Sequence, residues 1–193
     1  MSFNISAFKS AGLVYGGSRP SLFNVSLRVP DGIGIDTESQ AKFMLVCNAA
    51  ELPAATVQPI EVGYFGRKIK VAGDRTYADW NVNIMNDEDF SVRSLFEAWN
   101  NGLNRFVSNI RDRVLSQEQY KVDLDIVKFS KDGSITRSYK MVGAWPAEIG
   151  AIQQSWNDQN IIEEFEVKWC YDYWQPEYES GINKYKNATE LTS

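Results

Sequence analysis

The chain of 193 residues contains no histidine and only two cysteines. Without histidine, catalysis by Ser-His-Asp or Cys-His arrangements is excluded. Zinc sites built on histidine and cysteine are excluded as well, because two cysteines cannot complete a four-ligand set. Cys47 and Cys170 each lie in a short apolar run, so we expect both to be free, buried thiols.

Long apolar runs and an excess of basic charge are also absent. The apolar runs are short and interrupted, as at 43–47, and none approaches the ~20 residues of a membrane-spanning helix. The N-terminal segment has no hydrophobic block, so we expect no secretory signal peptide. The 20 lysines and arginines face 25 carboxylates, giving a net charge of −5. Such a chain is a poor candidate for tight nucleic-acid binding, which needs cations to neutralise phosphates.

The composition that remains is that of an ordinary globular domain, with 44% hydrophobic and 23% charged residues. A chain of this length can bury a substantial core. We predict one domain over residues 20–178. An extended N-terminal arm over 1–19 precedes it, and a polar C-terminal tail over 179–193 follows it.

Alternation of apolar and polar residues predicts most of the strands. Two strands flank a turn at Gly66, and two more flank Asp132-Gly133, a pair typical of a hairpin. A fully apolar run predicts a further strand at 42–49, and 145–152 is predicted as a turn into another strand. Segments rich in glycine, proline and small residues predict loops at 30–39 and 50–59. The predicted alternating strands are 23–29, 60–65, 67–73, 78–84, 120–130, 134–145 and 163–171.

One long helix is predicted at about 88–101. Asn86 or Asp87 can cap its start, and the acidic residues that follow suit the positive end of the helix dipole. Apolar residues then recur at helical spacing up to Trp99, and Gly102 ends the pattern. Residues 103–119 fit either a second short helix or a loop. The fold class is therefore mainly β, an antiparallel β-barrel or sandwich with one flanking α-helix.

Two pairs of carboxylates are the candidates for chemistry. Asp123 and Asp125 share one strand face, and Glu164 and Glu166 share another. Paired carboxylates can hydrolyse glycosides. Pairs of this kind more often belong to a solvated strand face, and in an assembly they can also line an acidic channel. The sequence favours a solvated face or an acidic channel lining over catalysis, and it does not distinguish between the first two.

A local cluster of basic residues lies within 67–75, with two aspartates nearby. Such charges can form surface ion pairs that contribute little free energy. They can also contact an acidic patch on a neighbouring copy of the chain. Under the second interpretation the contact residues are Arg67, Lys68, Asp74, Arg75 and Asp79.

The stretch 43–99 resembles the tail tube proteins of contractile-tailed, myovirus-type bacteriophages. The shared pattern runs from a leucine-proline step and a valine-glycine-aromatic step, through RKI and VAGDRT, to an aromatic-acidic-Trp step and MNDE. Glu51 precedes the leucine where the family has alanine. The matching residues are Leu52, Pro53, Val62, Gly63, Arg67, Lys68, Ile69, Val71, Ala72, Gly73, Asp74, Arg75, Thr76, Asp79, Trp80, Met85, Asn86, Asp87 and Glu88, and Trp99 fits a further helix position.

The resemblance implies a structural virion protein with no enzymatic activity, cofactor or metal. Family subunits are small β-barrels with a flanking helix that close into hexameric rings, and the rings stack into the inner tail tube. The implied partners are further copies of the chain, the tail sheath protein, the tape measure protein, the baseplate tube initiator and the tail terminator. Viral DNA would pass through without specific binding, and no membrane is involved. The expected location is the virion tail, assembled in the host bacterial cytoplasm.

The resemblance and the acidic charge together predict a lumen of negative potential. Polar residues that alternate with core residues face either solvent or a cavity. The candidate lumen-facing residues are Asn81, Asn83, Asp123, Asp125, Glu164 and Glu166.

Other functions remain open at this point. A baseplate tube initiator and a type VI secretion ring-like tube protein resemble tube proteins. Initiators are longer, so we expect 193 residues to fit the tube itself. A β-sandwich carbohydrate-binding protein or glycosidase is the more distant alternative.

Overall fold

The computed structural model describes residues 5–7, 9–10, 17–30, 33, 37–111 and 116–177. Most of the predicted N-terminal arm and all of the predicted C-terminal tail lie outside these residues. The elements, in chain order, are α1 (Ile5–Ala7), β1 (Phe23–Leu27), α2 (Thr37–Val46), β2 (Cys47–Ala50), β3 (Ala55–Tyr64), β4 (Arg67–Tyr77), β5 (Trp80–Met85), α3 (Ser91–Leu103), α4 (Gln117–Tyr120), β6 (Val122–Phe129), β7 (Ile135–Ile149), β8 (Glu164–Cys170) and β9 (Tyr173–Glu177).

Seven of the strands form an antiparallel sandwich whose two layers share the long strand β7. One layer has the order β1-β6-β7-β9, and the other has the order β7-β8-β5-β2. Within the described residues the sheets do not close on themselves, so strand edges stay open at β1, β9 and β2. The mainly β, antiparallel prediction is confirmed, as an open sandwich rather than a closed barrel.

The alternation predicted for β5 and β8 is confirmed by burial. Every second residue, beginning at Trp80 in β5 and at Phe165 in β8, is buried in the core, and the residues between them face outward. The same register brings each buried residue opposite another across the ladder. The facing pairs are Trp80 with Trp169, Val82 with Val167, and Ile84 with Phe165.

Helix α3 covers this core with one apolar side. The ring of Trp169 meets Phe96 at 5.8 Å and Trp99 at 5.6 Å, both edge to face. At the other end of the helix, the Arg93 guanidinium lies 5.3 Å from the ring of Phe165. The helix therefore runs along β8 from its Phe165 end to its Trp169 end, with Val92, Leu95, Phe96 and Trp99 buried.

Helix α3 begins at Ser91, three residues later than predicted. Phe90 takes the capping position in a left-handed conformation, with φ at 54°, and provides no side-chain cap. Asp87 supplies the cap from further back. It accepts the backbone N–H of Val92 at 3.4 Å and the hydroxyl of Ser91, and it pairs with Lys42 of α2 at 3.3 Å. One carboxylate therefore joins the two helices.

The titration of Asp87 gives a measurable consequence. Burial acts to raise the pKa of Asp87, but hydrogen bonds from Ser91 and Lys42 outweigh it and lower the pKa to about 2. The group thus stabilises the fold above its ordinary pKa of 3.8, and this stabilisation is lost as the pH falls towards 2. We expect Asp87→Asn to lower the free energy of unfolding by about 1–2 kcal/mol at pH 7 and by less at pH 3, measured by chemical denaturation.

The control for this prediction is Asp158→Asn, in the loop between β7 and β8, which should change stability little at either pH. Equal losses for Asp87→Asn at pH 7 and pH 3 would show that its charge does not stabilise the fold.

The strand predicted at 42–49 is wrong, because most of it belongs to helix α2. Phe43 is buried edge-on against Phe96 at 5.6 Å, whereas Leu45 is 81% exposed. Only Cys47–Ala50 continues as a strand. A short apolar run does not by itself distinguish a helix from a strand, and here the helical spacing of the buried residues decides. The sandwich therefore carries a second flanking helix, and the loop predicted at 30–39 gives way to α2 at Thr37.

Two prolines account for two further differences between the predicted and the observed elements. The loop predicted at 50–59 ends at Ala55, because Pro59 is accommodated in β3 next to a register shift. The turn predicted at 145–152 is instead the end of β7, where Pro146 also lies beside a register shift. Proline is tolerated at such irregular positions, where no ladder hydrogen bond is lost.

Candidate assembly interface

Strands β3 and β4 form a two-stranded ribbon of their own, separate from the sandwich within the described residues. Phe65 and Gly66 make its turn, with φ values of 43° and 77°. Two positive φ values suit the tight turns whose twist matches that of paired strands. Strands of ten and eleven residues extend the ribbon to about 30 Å. We call this ribbon, residues 55–77, the hairpin.

The hairpin is attached to the sandwich at its base. The Trp174 indole N–H donates to the backbone oxygen of Ala54 at 3.3 Å, and the ring of Tyr77 packs near Tyr171 and Trp174. From Ala55 to Thr76 every residue except Gly73 is exposed. A ribbon anchored at one end and bare along its length is marginally stable alone in water.

The register of the hairpin separates two faces. On one face Glu61 lies opposite Lys70, and the Lys68 ammonium pairs with Glu61 at 2.8 Å. The other face, which we call the apolar hairpin face, exposes Ile60, Val62, Tyr64, Ile69 and Val71 to 46–65%, with Arg67 opposite Tyr64 beside the turn. Soluble monomers rarely expose a contiguous apolar patch of this kind without a partner for it.

Gly73 explains why the sequence motif of this hairpin contains a glycine. It lies at the register shift between β3 and β4. A Cβ there would stand 2.6 Å from the backbone oxygen of Gln58 and 2.8 Å from Cγ1 of Ile60. Only glycine allows this approach, and the extra residue on β4 increases the local twist of the ribbon.

Four of the five predicted contact residues lie on β4, two beside the turn of the hairpin and two near its base, and the fifth lies outside the hairpin. Lys68 carries the cross-strand pair described above. Asp79 lies beyond the hairpin, pairs with Lys168 of β8 at 3.1 Å and accepts the Cys170 thiol at 3.5 Å. The four that lie exposed on β4 are Arg67, Lys68, Asp74 and Arg75.

The six predicted lumen residues fall on two different outward faces. Four of them share the outer face of β5 and β8, where Asn83 lies opposite Glu166 and the Asn48 amide donates to Glu164. Asp123 and Asp125 lie on β6, in the other layer of the sandwich. The group on β5 and β8 is Asn81, Asn83, Glu164 and Glu166. A channel wall formed by one face of the sandwich would therefore carry either the four residues on β5 and β8 or the two on β6, but not both sets.

The face of β6 is an ionic cluster. Burial raises the pKa of Asp125, Glu177 adds to the rise, and Lys140 opposes it. The Lys140 ammonium pairs with Asp123 at 3.0 Å. Among the described residues, no three histidine, cysteine or acidic side chains are grouped to hold a metal ion. None of the described helices has the length and apolarity needed to cross a bilayer.

Sequence reasoning missed two exposed apolar loops. Residues 104–111 follow α3 and expose Phe106, Val107 and Ile110, whereas 150–163 joins β7 to β8 and exposes Trp156 completely. Neither loop shows a periodic pattern. The available signal was a lone tryptophan within the polar run QQSWNDQN.

A family model for phage tail tube proteins matches residues 18–177. The chain belongs to the phage tail tube protein family. It is 33% identical over 162 residues to tail tube protein gp19 of Enterobacteria phage T4, and the match covers 82% of this chain and 91% of the T4 protein. The resemblance found in residues 43–99 is thus confirmed and extends over nearly the whole sandwich. This tail tube protein is a structural component of a contractile phage tail and of the virion.

Solved structures of contractile injection systems share the fold. In the sheath–tube complex of the extracellular system PVC in its extended state, one chain matches with a TM-score of 0.56 at 15% identity, covering 91% of this chain and 99% of that one. In the sheath/tube terminator of the same system the TM-score is 0.60 at 15% identity, covering 84% and 97%. At this identity the likeness establishes the architecture alone.

Proposed function

We propose that six copies of this tail tube protein close into a ring and that rings stack into the inner tube of the tail. The observation that carries the proposal is the apolar hairpin face, which is left bare by the rest of the described chain. Packing against another copy buries that face. Ring closure also covers the open strand edges at β1, β9 and β2, which would otherwise pair with other chains.

In the proposal the charged residues of β4 also contact a neighbouring copy. Arg75 is exposed and lies opposite Val57, near the base of the hairpin. Complementary charges across an interface contribute to the association rate and to specificity. A neighbouring copy of this chain, with its net charge of −5, supplies acidic surface for Arg75 to meet.

Arg75→Glu tests this contact. It sets like charges against each other, so we expect the critical concentration for tube assembly to rise roughly tenfold, about 1.4 kcal/mol, with the monomer still folded. Sedimentation and negative-stain microscopy measure it. Lys131→Glu, in the exposed turn between β6 and β7, is a control with the same change in charge. Unchanged tube yield and length in Arg75→Glu would remove this residue from the interface.

The proposed partners follow from the position of an inner tube in the tail. The sheath protein surrounds the tube, the tape measure protein occupies its lumen during assembly, and the initiator and the terminator bound its two ends. Family membership and the fold shared with chains of sheath–tube and terminator complexes support this arrangement. Assembly takes place in the host bacterial cytoplasm in this proposal.

We propose further that one of the two outward polar faces lines the channel. Six acidic copies around a ring produce a negative field, and salt at ~0.15 M screens it only beyond about 8 Å. DNA inside is repelled from the wall and passes independently of its sequence. The candidate residues are Asn81, Asn83, Glu164 and Glu166 on β5 and β8, or Asp123 and Asp125 on β6.

In this proposal the protein has no catalytic activity of its own. The family is a structural one, and the sequence supplies no histidine for a nucleophile-base pair. The acidic pairs are occupied by neighbouring groups, since Asp123 pairs with Lys140 and Glu164 accepts the Asn48 amide.

A further inference from the structure

The two ends of the sandwich carry different apolar surfaces. The hairpin leaves at the Trp80 end of β5, and the chain turns towards α3 at the Met85 end. Helix α3 then runs back along β8, so the loop 104–111 that follows it lies at the same end as the hairpin. The loop 150–163 lies at the opposite end, because the Asn86 backbone N–H donates to the backbone oxygen of Glu163 at 2.8 Å.

Both ends of the loop 150–163 are held in place. The Gly150 N–H donates to the backbone oxygen of Glu166 at 2.7 Å, and its own oxygen accepts the Arg93 guanidinium at 3.1 Å. At the other end, the Glu163 carboxylate accepts the side-chain amides of Asn86 and Gln154. The loop is therefore fastened to both α3 and β8, which reduces the entropy lost when its tip binds a partner.

This loop exposes three large apolar side chains, one within its polar middle and two directly before Glu163. Trp156 is 100% exposed, and Ile161 and Ile162 are also largely exposed. Tryptophan is among the residues most enriched at the energetic centres of protein interfaces. We call residues 150–163 the Trp156 loop.

The loop 104–111, which we call the Phe106 loop, also exposes apolar side chains. Val107 is fully exposed, and Phe106 and Ile110 are mostly so. Hydrogen bonds also order its backbone. The Phe106 N–H donates to the side-chain oxygen of Asn101 at 3.2 Å, and the Arg105 N–H donates to the backbone oxygen of Ile110 at 3.2 Å. The 13 residues of α3 separate the bases of the two loops by about 20 Å.

We infer that the Trp156 loop of one copy docks against the Phe106 loop of a copy in the adjacent ring. The inference rests on the proposed stacking of rings and names two of the surfaces that meet there. Two different patches at opposite ends of one molecule make a head-to-tail contact, which repeats without closing and so extends a tube. Both patches lie at the ends of α3, so stacking along this helix brings them together beside the hairpin contact.

The first test removes the tryptophan. Because Trp156 is fully exposed within the part of the chain that the structure describes, Trp156→Ala should leave the monomer folded and its rings intact, whereas the critical concentration for tubes should rise at least about tenfold. Sedimentation gives the concentration, and negative-stain microscopy distinguishes rings from tubes. Trp156→Phe should restore much of the assembly. Ile135→Ala, which shortens an exposed apolar residue at the start of β7, is the control. Normal tubes in Trp156→Ala, or loss of rings as well as tubes, would overturn the inference.

The second test identifies the partner surface. A photoreactive phenylalanine analogue replaces Trp156 in the full chain, and the assembled protein is irradiated and analysed by mass spectrometry. We expect cross-links from position 156 to residues 104–111 of another copy. Cross-links between two Trp156 loops, to other segments, or within one copy only would contradict the inference. If the unaltered protein forms no stacked rings, the proposed function fails. If it forms them without these effects of the variants, the inference alone fails.

Discussion

Ile69→Asp is expected to abolish tube assembly and leave the monomer folded. Ile69 lies opposite Val62 in the apolar hairpin face and is 56% exposed, so a carboxylate there stays hydrated in the free chain. In the assembly the same carboxylate would be buried against apolar atoms of a neighbour, which costs several kcal/mol per contact. We expect the critical concentration to rise at least about a hundredfold. Sedimentation and negative-stain microscopy over a concentration series measure it.

The matched control places the same change outside the hairpin. Ile135→Asp alters an exposed isoleucine at the start of β7 and should leave assembly close to that of the unaltered protein. Circular dichroism checks that both variants fold. Tubes of normal length and yield from Ile69→Asp would show that the apolar hairpin face is not a contact between copies.

The second large effect concerns the stability of the sandwich. Trp169 is fully buried on β8, lies opposite Trp80 and packs edge to face against Phe96 and Trp99. Trp169→Ala removes the ring on which α3 rests and leaves a cavity between the helix and the sheet. We expect the free energy of unfolding to fall by about 3–5 kcal/mol, measured by urea denaturation.

Trp156→Ala provides the internal comparison for this prediction. It deletes the same side chain where it is fully exposed, so the free energy of unfolding should change by no more than about 0.5 kcal/mol. Similar losses at both positions would mean that Trp169 does not hold α3 on the sheet.

Alternation was a reliable guide wherever one face of a strand is buried. It identified β5 and β8 because Trp80, Val82 and Ile84 point into the core and the asparagines between them do not. The same alternation marks the hairpin, yet there the apolar face is bare. A pattern of period two reports that a strand has two unlike faces, and it does not report what covers the apolar one.

Helices were harder to predict where contacts between elements determine whether a helix forms or where it begins. The run around Phe43 reads as a strand from its composition, and contact with Phe96 selects the helix. Helix α3 begins later than predicted because the side chain of Asp87, four residues before Ser91, caps it. Local propensity is a weak prior that such contacts override.

The positions of the candidate site residues in the fold depend more on the order of the strands than on the spacing of the residues in the sequence. Asp79 is close in sequence to Arg75, but the hairpin ends between them, so Asp79 belongs to the body of the sandwich. Asp125 and Glu166 both alternate with core residues, yet they lie on opposite layers. The sequence shows which residues of one strand share a face. Only the order of the strands in the sheets shows which strands contribute residues to the same surface.

The measurement that tests the central claim most directly is a cryo-electron microscopy structure of the assembled full chain. We expect stacked six-fold rings in which the apolar hairpin face is buried between copies and one polar, net acidic face lines the lumen. A protein that stays monomeric at high concentration would contradict the claim. So would a tube in which the apolar hairpin face remains in solvent.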